Sequence, residues 1–159
     1  MSRVVPGIVR SGEFVEAPSF VQNIRRTKGS KRAGQLFEQR VHRRFLKEWR
    51  GQYVNGPWIR FEGPQCGTRH CQPDGLLFDP WAGRIVVVEC KISHTYRAWD
   101  QINRLYMPVV QAMFPDWEVA GVEVFKFFNH GEPYQEKPVV VWDLGAVKGG
   151  GNNIMRFEE

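Results

Sequence analysis

Cysteine is scarce and odd in number, with three in 159 residues. A disulfide framework uses cysteines in pairs, so free thiols in a reducing compartment are the expectation. No apolar run approaches the ~20 residues that a membrane-spanning helix needs. The N-terminus also lacks the charged-then-apolar layout of a secretory signal. A cytoplasmic location follows as the expectation, with no membrane partner. Internal repeats are absent too, which excludes solenoids and propellers. Acid is what the first fifty residues have least of: four Asp and Glu stand against twelve Lys and Arg, while residues 51–159 carry thirteen against ten. The net charge of +5 is therefore an N-terminal property.

What is present argues for one folded domain. Hydrophobic residues make up 42% of the chain, with eleven Phe and six Trp, enough for a proper core. Residues 1–32 hold Pro6, Gly7, Gly12, Pro18 and Gly29 without a sustained period, and read as a basic extended arm. Residues 33–147 form the expected domain, and 148–159, with Gly149, Gly150 and Gly151, a flexible tail. Within the domain the pattern predicts a helix from Gly34 to Arg50 and strands at Trp58 to Glu62, Gln72 to Asp79 and Arg84 to Ile92. A helix from Tyr96 to Phe114 follows, then strands at Val119 to Phe128 and Val139 to Leu144. Arg25, Arg26, Lys28, Lys31 and Arg32, continued by Arg40, Arg43, Arg44 and Lys47, make a block suited to phosphate contacts, with salt-dependent, sequence-independent affinity for nucleic acid. A solvated basic face is the plainer reading of any single member.

The chemistry concentrates at Asp74 and at Glu89-Cys90-Lys91. Leu76-Leu77-Phe78 and Ile85-Val86-Val87-Val88 are short apolar runs joined by Pro80 and Gly83, a hairpin pattern. With Asp79 opposite Arg84, antiparallel register sets Asp74 opposite Glu89, with Cβ atoms roughly 4.5–5.5 Å apart on one face. Lys91 falls on that face by the two-residue period. Facing like charges destabilise a hairpin, and a divalent cation between them removes the conflict. Carboxylate oxygens suit Mg²⁺, which would acidify a bound water and polarise a phosphoryl oxygen. The Lys91 ammonium could stabilise transition-state charge or position the attacking water. A simple salt bridge from Lys91 to one of the acids is the alternative.

Pro73-Asp74 and Glu89-Cys90-Lys91 resemble the motif of the PD-(D/E)xK nuclease superfamily. The resemblance implies an α/β, restriction-endonuclease-like core: a mixed central β-sheet flanked by helices in the order α-β-β-β-α-β-β. The family places an acidic residue on a preceding helix. Glu38 fits that position, because it projects into the middle of the Val41, Phe45 and Trp49 stripe beside His42. A salt bridge to a helix neighbour is its other reading. The resemblance implies metal ligation by Glu38, Asp74, Glu89 and the Cys90 backbone carbonyl, with Mg²⁺ or Mn²⁺ as cofactor. RecB-like and CRISPR-associated branches also carry Gln-x-x-x-Tyr on the next helix. Gln101 and Tyr106 approach that motif but lie five apart, one position too far.

Cys66, His70 and Cys71 lack a convincing fourth ligand for structural zinc, and His70 is read instead as a loop residue near DNA. His94 either contacts the scissile phosphate or caps the strand end. The resulting expectation is a metal-dependent deoxyribonuclease, more an endonuclease than an exonuclease, acting in phage or mobile-element DNA processing, recombination or repair. Lys91, Asp74, Glu89 and Glu38 would be its catalytic set, and a homodimer or a larger phage or repair assembly its context. A Holliday junction resolvase is one alternative. A nuclease-like module that binds DNA or docks in an assembly without turnover is the other.

Overall fold

A computed structural model of the chain describes residues 8–21, 29–49, 51–93, 96–127 and 152–156. Strands β1 (Ser11–Val15), β2 (Gln52–Asn55), β3 (Trp58–Gly63), β4 (Gly67–Cys71), β5 (Gly75–Asp79), β6 (Arg84–Ser93), β7 (Glu118–Phe127) and β8 (Asn152–Arg156) alternate with helical segments. Helix α1 is Ser30–Glu48 and α2 is Tyr96–Gln101; a π-turn (Ile102–Tyr106) joins α2 directly to α3 (Met107–Met113). The class is α/β, as the alternation of patterns implies.

Two sheets form among the described residues. The larger has the order β2-β5-β6-β7-β8 and is mixed: β2, β5 and β6 run antiparallel in turn, whereas β6, β7 and β8 run parallel. The parallel step from β6 to β7 needs a crossover, and the α2–α3 helix supplies it. Strand β6 is central, and its residues Ile85 to Val88 are all 1% exposed or less. A strand covered on both faces reads as a continuous apolar run rather than an alternation. One face packs against Phe37, Val41 and Phe45 of α1, joined by Tyr53, Val86, Val88 and Cys90. The other packs Leu76, Ile85 and Val87 against Ile102, Tyr106, Val109 and Val110. The second, antiparallel sheet has the order β1-β3-β4 and closes that second core with Ile59, Phe61 and Cys71.

The hairpin register is the one expected from the turn. Asp79 faces Arg84 and Gly75 faces Val88. Gly83 takes the left-handed conformation at φ 62°, and Asp79 Oδ1 accepts the Ala82 N–H at 3.2 Å, so the loop is locally satisfied.

Several expectations need correction. Helix α1 starts earlier and ends sooner than Gly34 to Arg50, so Lys31 and Arg32 belong to its first turns rather than to an arm. The strand expected at Gln72 to Asp79 starts later, as β5 at Gly75, because Gln72, Pro73 and Asp74 lie between the ladders of β4 and β5, which belong to different sheets. None of β1, β2 and β4 was expected, and β4 holds His70 and Cys71 in a strand rather than in a loop. Strand β1 lies where Gly12 interrupts the pattern, and it pairs its whole length with β3. Residues Asn152–Arg156 pair parallel with Gly121 to Phe125 instead of trailing as a tail. The strand expected at Val139 to Leu144 lies outside the described residues.

Candidate active site

Asp74 sits where β5 begins, and it is held at two points. Its backbone carbonyl accepts the Gly56 N–H at 2.8 Å. Its carboxylate Oδ2 accepts the Cys90 N–H at 2.6 Å. The ladder ends at Gly75, so Asp74 does not pair as a strand residue with Glu89. It reaches the next residue of β6 by its side chain instead. Gly75 beside it makes room for Tyr53: a Cβ there would overlap the ring and hydroxyl of that tyrosine.

Glu89 is 3% exposed and forms an ion pair with Lys91 at 2.8 Å, with Lys91 a third exposed. Residues 89 and 91 alternate with Cys90, so both lie on the sheet face of Val87, while Cys90 lies on the α1 face. Glu38 comes from α1. Asp74, at the strand end, is reached by the fields of acids from both sides. Burial, the charge of Glu89 and the charge of Glu38 together push its carboxyl from 3.8 up to about 8, against the opposing pull of the Cys90 N–H and Lys91. Burial, with the same acids beside it, also raises the Cys90 thiol. Acidic groups crowded around a buried corner, with Asp74 and Cys90 held toward their protonated forms, are its electrostatic signature.

Glu38 does not point freely into the site. His42 Nε2 stands 3.1 Å from Glu38 Oε1, one helical turn on, and His42 Nδ1 bonds the Tyr53 hydroxyl. Glu38 thus contacts a helix neighbour, His42, and the contact is a salt bridge only where the imidazole is protonated. His42 is 5% exposed and Tyr53 is 8% exposed, so the Glu38–His42–Tyr53 chain runs into the core. Burial first, then the charges of Cys90, Asp74 and Glu38, raise the Tyr53 hydroxyl's pKa. His42 and Tyr53 were not expected at the site; an apolar helix face interrupted by both Glu38 and His42 is the signal that could have found them.

On the opposite face, Gln101 and Tyr106 do meet. The Gln101 side-chain amide donates to the Tyr106 hydroxyl, which donates in turn to the Gln72 carbonyl at 3.2 Å. The π-turn between them explains how. In the i→i+5 pattern, Met107 N–H bonds the Ile102 carbonyl, and the extra residue is absorbed. Residues five apart are thereby brought together as residues four apart are in an α-helix. Burial, then the charges of Glu89 and Asp74, raise the Tyr106 hydroxyl's pKa. Glu123 is a further acid at this corner. It is 2% exposed and registers directly against Glu89 across the parallel β6–β7 pair.

Among the described residues, no three His, Cys, Asp or Glu side chains form a group that could hold a metal ion. The donor chemistry still fits Mg²⁺, which commonly takes one or two carboxylates and completes its shell with water and substrate phosphate. Asp74 and Glu89 would hold it, with the Cys90 carbonyl beside them, and Glu38 would first have to leave His42. Such an ion would supply an acidified water and a polarised phosphoryl oxygen.

The remaining expected residues are scattered. Lys31, Arg32, Arg43 and Arg44 are exposed on α1, and Arg44 pairs with Glu48 at 3.1 Å. Lys31 precedes Glu38 by seven residues and shares its face, about 10 Å along the axis. Arg25, Arg26, Lys28 and His94 lie outside the described residues. His70 lies on β4, its ring edge-on to Phe20 at 5.7 Å. Cys71 is a core residue, its thiol pushed up to about 12 by burial. Comparison with family models, curated proteins and solved structures finds no match for the chain. Among the described residues, no helix is long and apolar enough to cross a membrane.

Proposed function

We propose that the protein is a Mg²⁺- or Mn²⁺-dependent deoxyribonuclease with a restriction-endonuclease-like core, resembling the PD-(D/E)xK superfamily. The observation that carries this reading is Asp74: a carboxylate raised to about 8 by burial and by Glu89 and Glu38, one residue's reach from the Glu89–Lys91 pair. Acids gathered around a buried carboxylate disfavour its ionised form, a conflict that a bound cation would relieve, and strongly perturbed groups gather at functional sites. A phosphodiester would bind with its phosphoryl oxygens toward the metal. Lys91 would meet the charge that builds on them during attack by water, and the 3′-oxygen would leave. The Gln101–Tyr106 contact, restored across the π-turn, supports a site shared between the hairpin and the following helix. Exposed Lys31, Arg32, Arg43 and Arg44 suit a polyanionic substrate.

The Glu38–His42 contact favours a second reading, a DNA-binding module without turnover, since it occupies one of the three acids. Supercoiled and linear DNA incubated with Mg²⁺, Mn²⁺ or EDTA separates the two. Cutting in either metal, abolished by EDTA and by Lys91→Ala, is the expected result. DNA binding with no cutting in either metal favours the module, and cutting that persists in Lys91→Ala overturns the role given to that residue.

A further inference from the structure

A cavity of about 390 Å³ opens beside the proposed site, between β3, β4 and the π-turn. Its size falls within the range of small-ligand pockets, roughly 300–1,000 Å³. Phe20 and Trp58 line it edge to face, with centroids 6.2 Å apart, and His70 lies edge-on to Phe20 at 5.7 Å. Phe20 is 65% exposed, an aromatic side chain left open to water at a pocket mouth. Arg69 and His70 add polar and cationic groups to the wall, and both are exposed. Tyr106 and Gln72 also line it, and they join the cavity to the proposed site. The Tyr106 hydroxyl bonds the Gln72 carbonyl, and Gln72 lies two residues before Asp74. Two extended residues span at most about 7 Å, so pocket and carboxylate lie within reach of a single nucleotide.

Aromatic rings, an arginine and polar groups in a concave site are the features that hold an unstacked base, which offers a π-face to rings and hydrogen-bonding edges to side chains. A continuous duplex keeps its bases stacked and offers neither. We propose that this pocket receives an unpaired nucleobase flanking the phosphodiester held at Asp74, so that the substrate carries a single-stranded or displaced nucleotide there. The inference rests on the nuclease reading for its choice of strand, but its binding step requires no cleavage.

The test is therefore a binding measurement made in EDTA, alongside cleavage in Mg²⁺. Oligonucleotides carrying the fluorescent base 2-aminopurine are offered as single strand, as a flap and as blunt duplex. Quenching on the single strand and flap, and none on the duplex, is expected. Trp58→Ala should weaken binding of the single-stranded and flap DNAs on the order of 10- to 100-fold, the range for losing a base stack, and change duplex binding little. Abasic replacement of one nucleotide, scanned along the flap, leaves the protein intact and should reproduce that loss at a single position. Equal binding of abasic and normal strands at every position, or equal loss of duplex and flap binding in Trp58→Ala, overturns the proposal. Quenching with a single abasic-sensitive position but no cutting in any metal would retain the pocket and remove the nuclease reading. Metal-dependent cutting with no abasic-sensitive position would do the reverse.

Discussion

The carboxylate of Asp74 accepts the backbone N–H of Cys90 at 2.6 Å, tying the first residue before β5 to the middle residue of the Glu89-Cys90-Lys91 triplet. The peptide that separates Glu89 from Lys91 thus fixes Asp74, and any shift of β6 moves all three together. Opposing effects act on the acid: the N–H and Lys91 favour its ionised form, while burial, Glu89 and Glu38 oppose it more strongly.

The balance has a definite sign. Asp74's carboxyl lies at about 8 in the fold against 3.8 normally. Its contribution to stability is fully present below the ordinary value and is lost as pH rises through about 8. Asp74→Asn cannot ionise and can still accept the Cys90 N–H. It should match the parent near pH 4 and become more stable by about 1–3 kcal/mol at pH 9, a fraction of the full linkage because the group keeps some solvent contact. Urea denaturation at pH 4, 7 and 9 measures this, and parallel stability curves would count against it. Metal binding displaces the same proton, so Mg²⁺ affinity of the parent should climb until about pH 8 and then level off.

Lys91 and Glu89 depend on one another. Glu89 is almost wholly buried, and Lys91 is the cation paired with it in the structure, at 2.8 Å. Lys91→Ala leaves a desolvated carboxylate and should cost about 1–3 kcal/mol, below the figure for a fully buried pair because Lys91 is partly exposed. Adding Glu89→Gln should return most of that loss. A double-mutant cycle reads the coupling directly; additive losses would show that the contact contributes nothing. Cleavage should fall at least ~10²-fold in Lys91→Ala, the scale for removing one stabilising group from a transition state, while DNA affinity in EDTA changes little.

Tyr53→Phe keeps the ring packed on Phe45 and removes the hydroxyl that bonds His42. A buried ring nitrogen then loses its partner, which costs about 1–3 kcal/mol. Thermal and chemical denaturation should both register the loss. An unchanged midpoint would mean that water replaces the hydroxyl, and that the Glu38–His42–Tyr53 chain is not held by its inner end.

The hairpin was legible because its determinants are local. Pro80 and Gly83 set the turn, and the apolar runs on either side fixed the register that brings Asp74 to β6. Glu38 was legible as an acid beside the apolar stripe of α1, since helical phase alone decides that, but not that its side chain stays 37% exposed. Its partner was not: helical phase places His42 beside Glu38 but cannot say which of the two turns toward the other or toward Tyr53. The short strands β1, β2 and β4 carry Gly12, Gln52 and Arg69 among few apolar residues, so they have no alternation to read. Their pairing comes from tertiary contact with β3 and β5. The pocket at Phe20, Trp58 and Tyr106 draws on segments far apart in sequence, and no window of the chain contains it.

The π-turn makes the last prediction, and it runs against ordinary expectation for a helix. Removing one residue from an α-helix rotates everything beyond it by about 100°. Deleting Gln39 from α1 should therefore swing Val41 and Phe45 out of the core and unfold the protein. The 102–106 turn already holds one residue more than an α-helix would. Deleting Arg104, whose side chain is exposed and pairs with Asp100 at 2.9 Å, should convert the turn to α-helix. The Gln101 amide would then meet the same tyrosine at an ordinary four-residue spacing, and α3 would keep its face toward Val87 and Val119. The cost should be about 0.3–0.5 kcal/mol, that of one exposed i,i+4 ion pair. Circular dichroism and a melting curve distinguish the outcomes: a folded deletion with near-parental stability supports the turn as a spacer, whereas unfolding comparable to the Gln39 deletion would show that the π geometry itself is required.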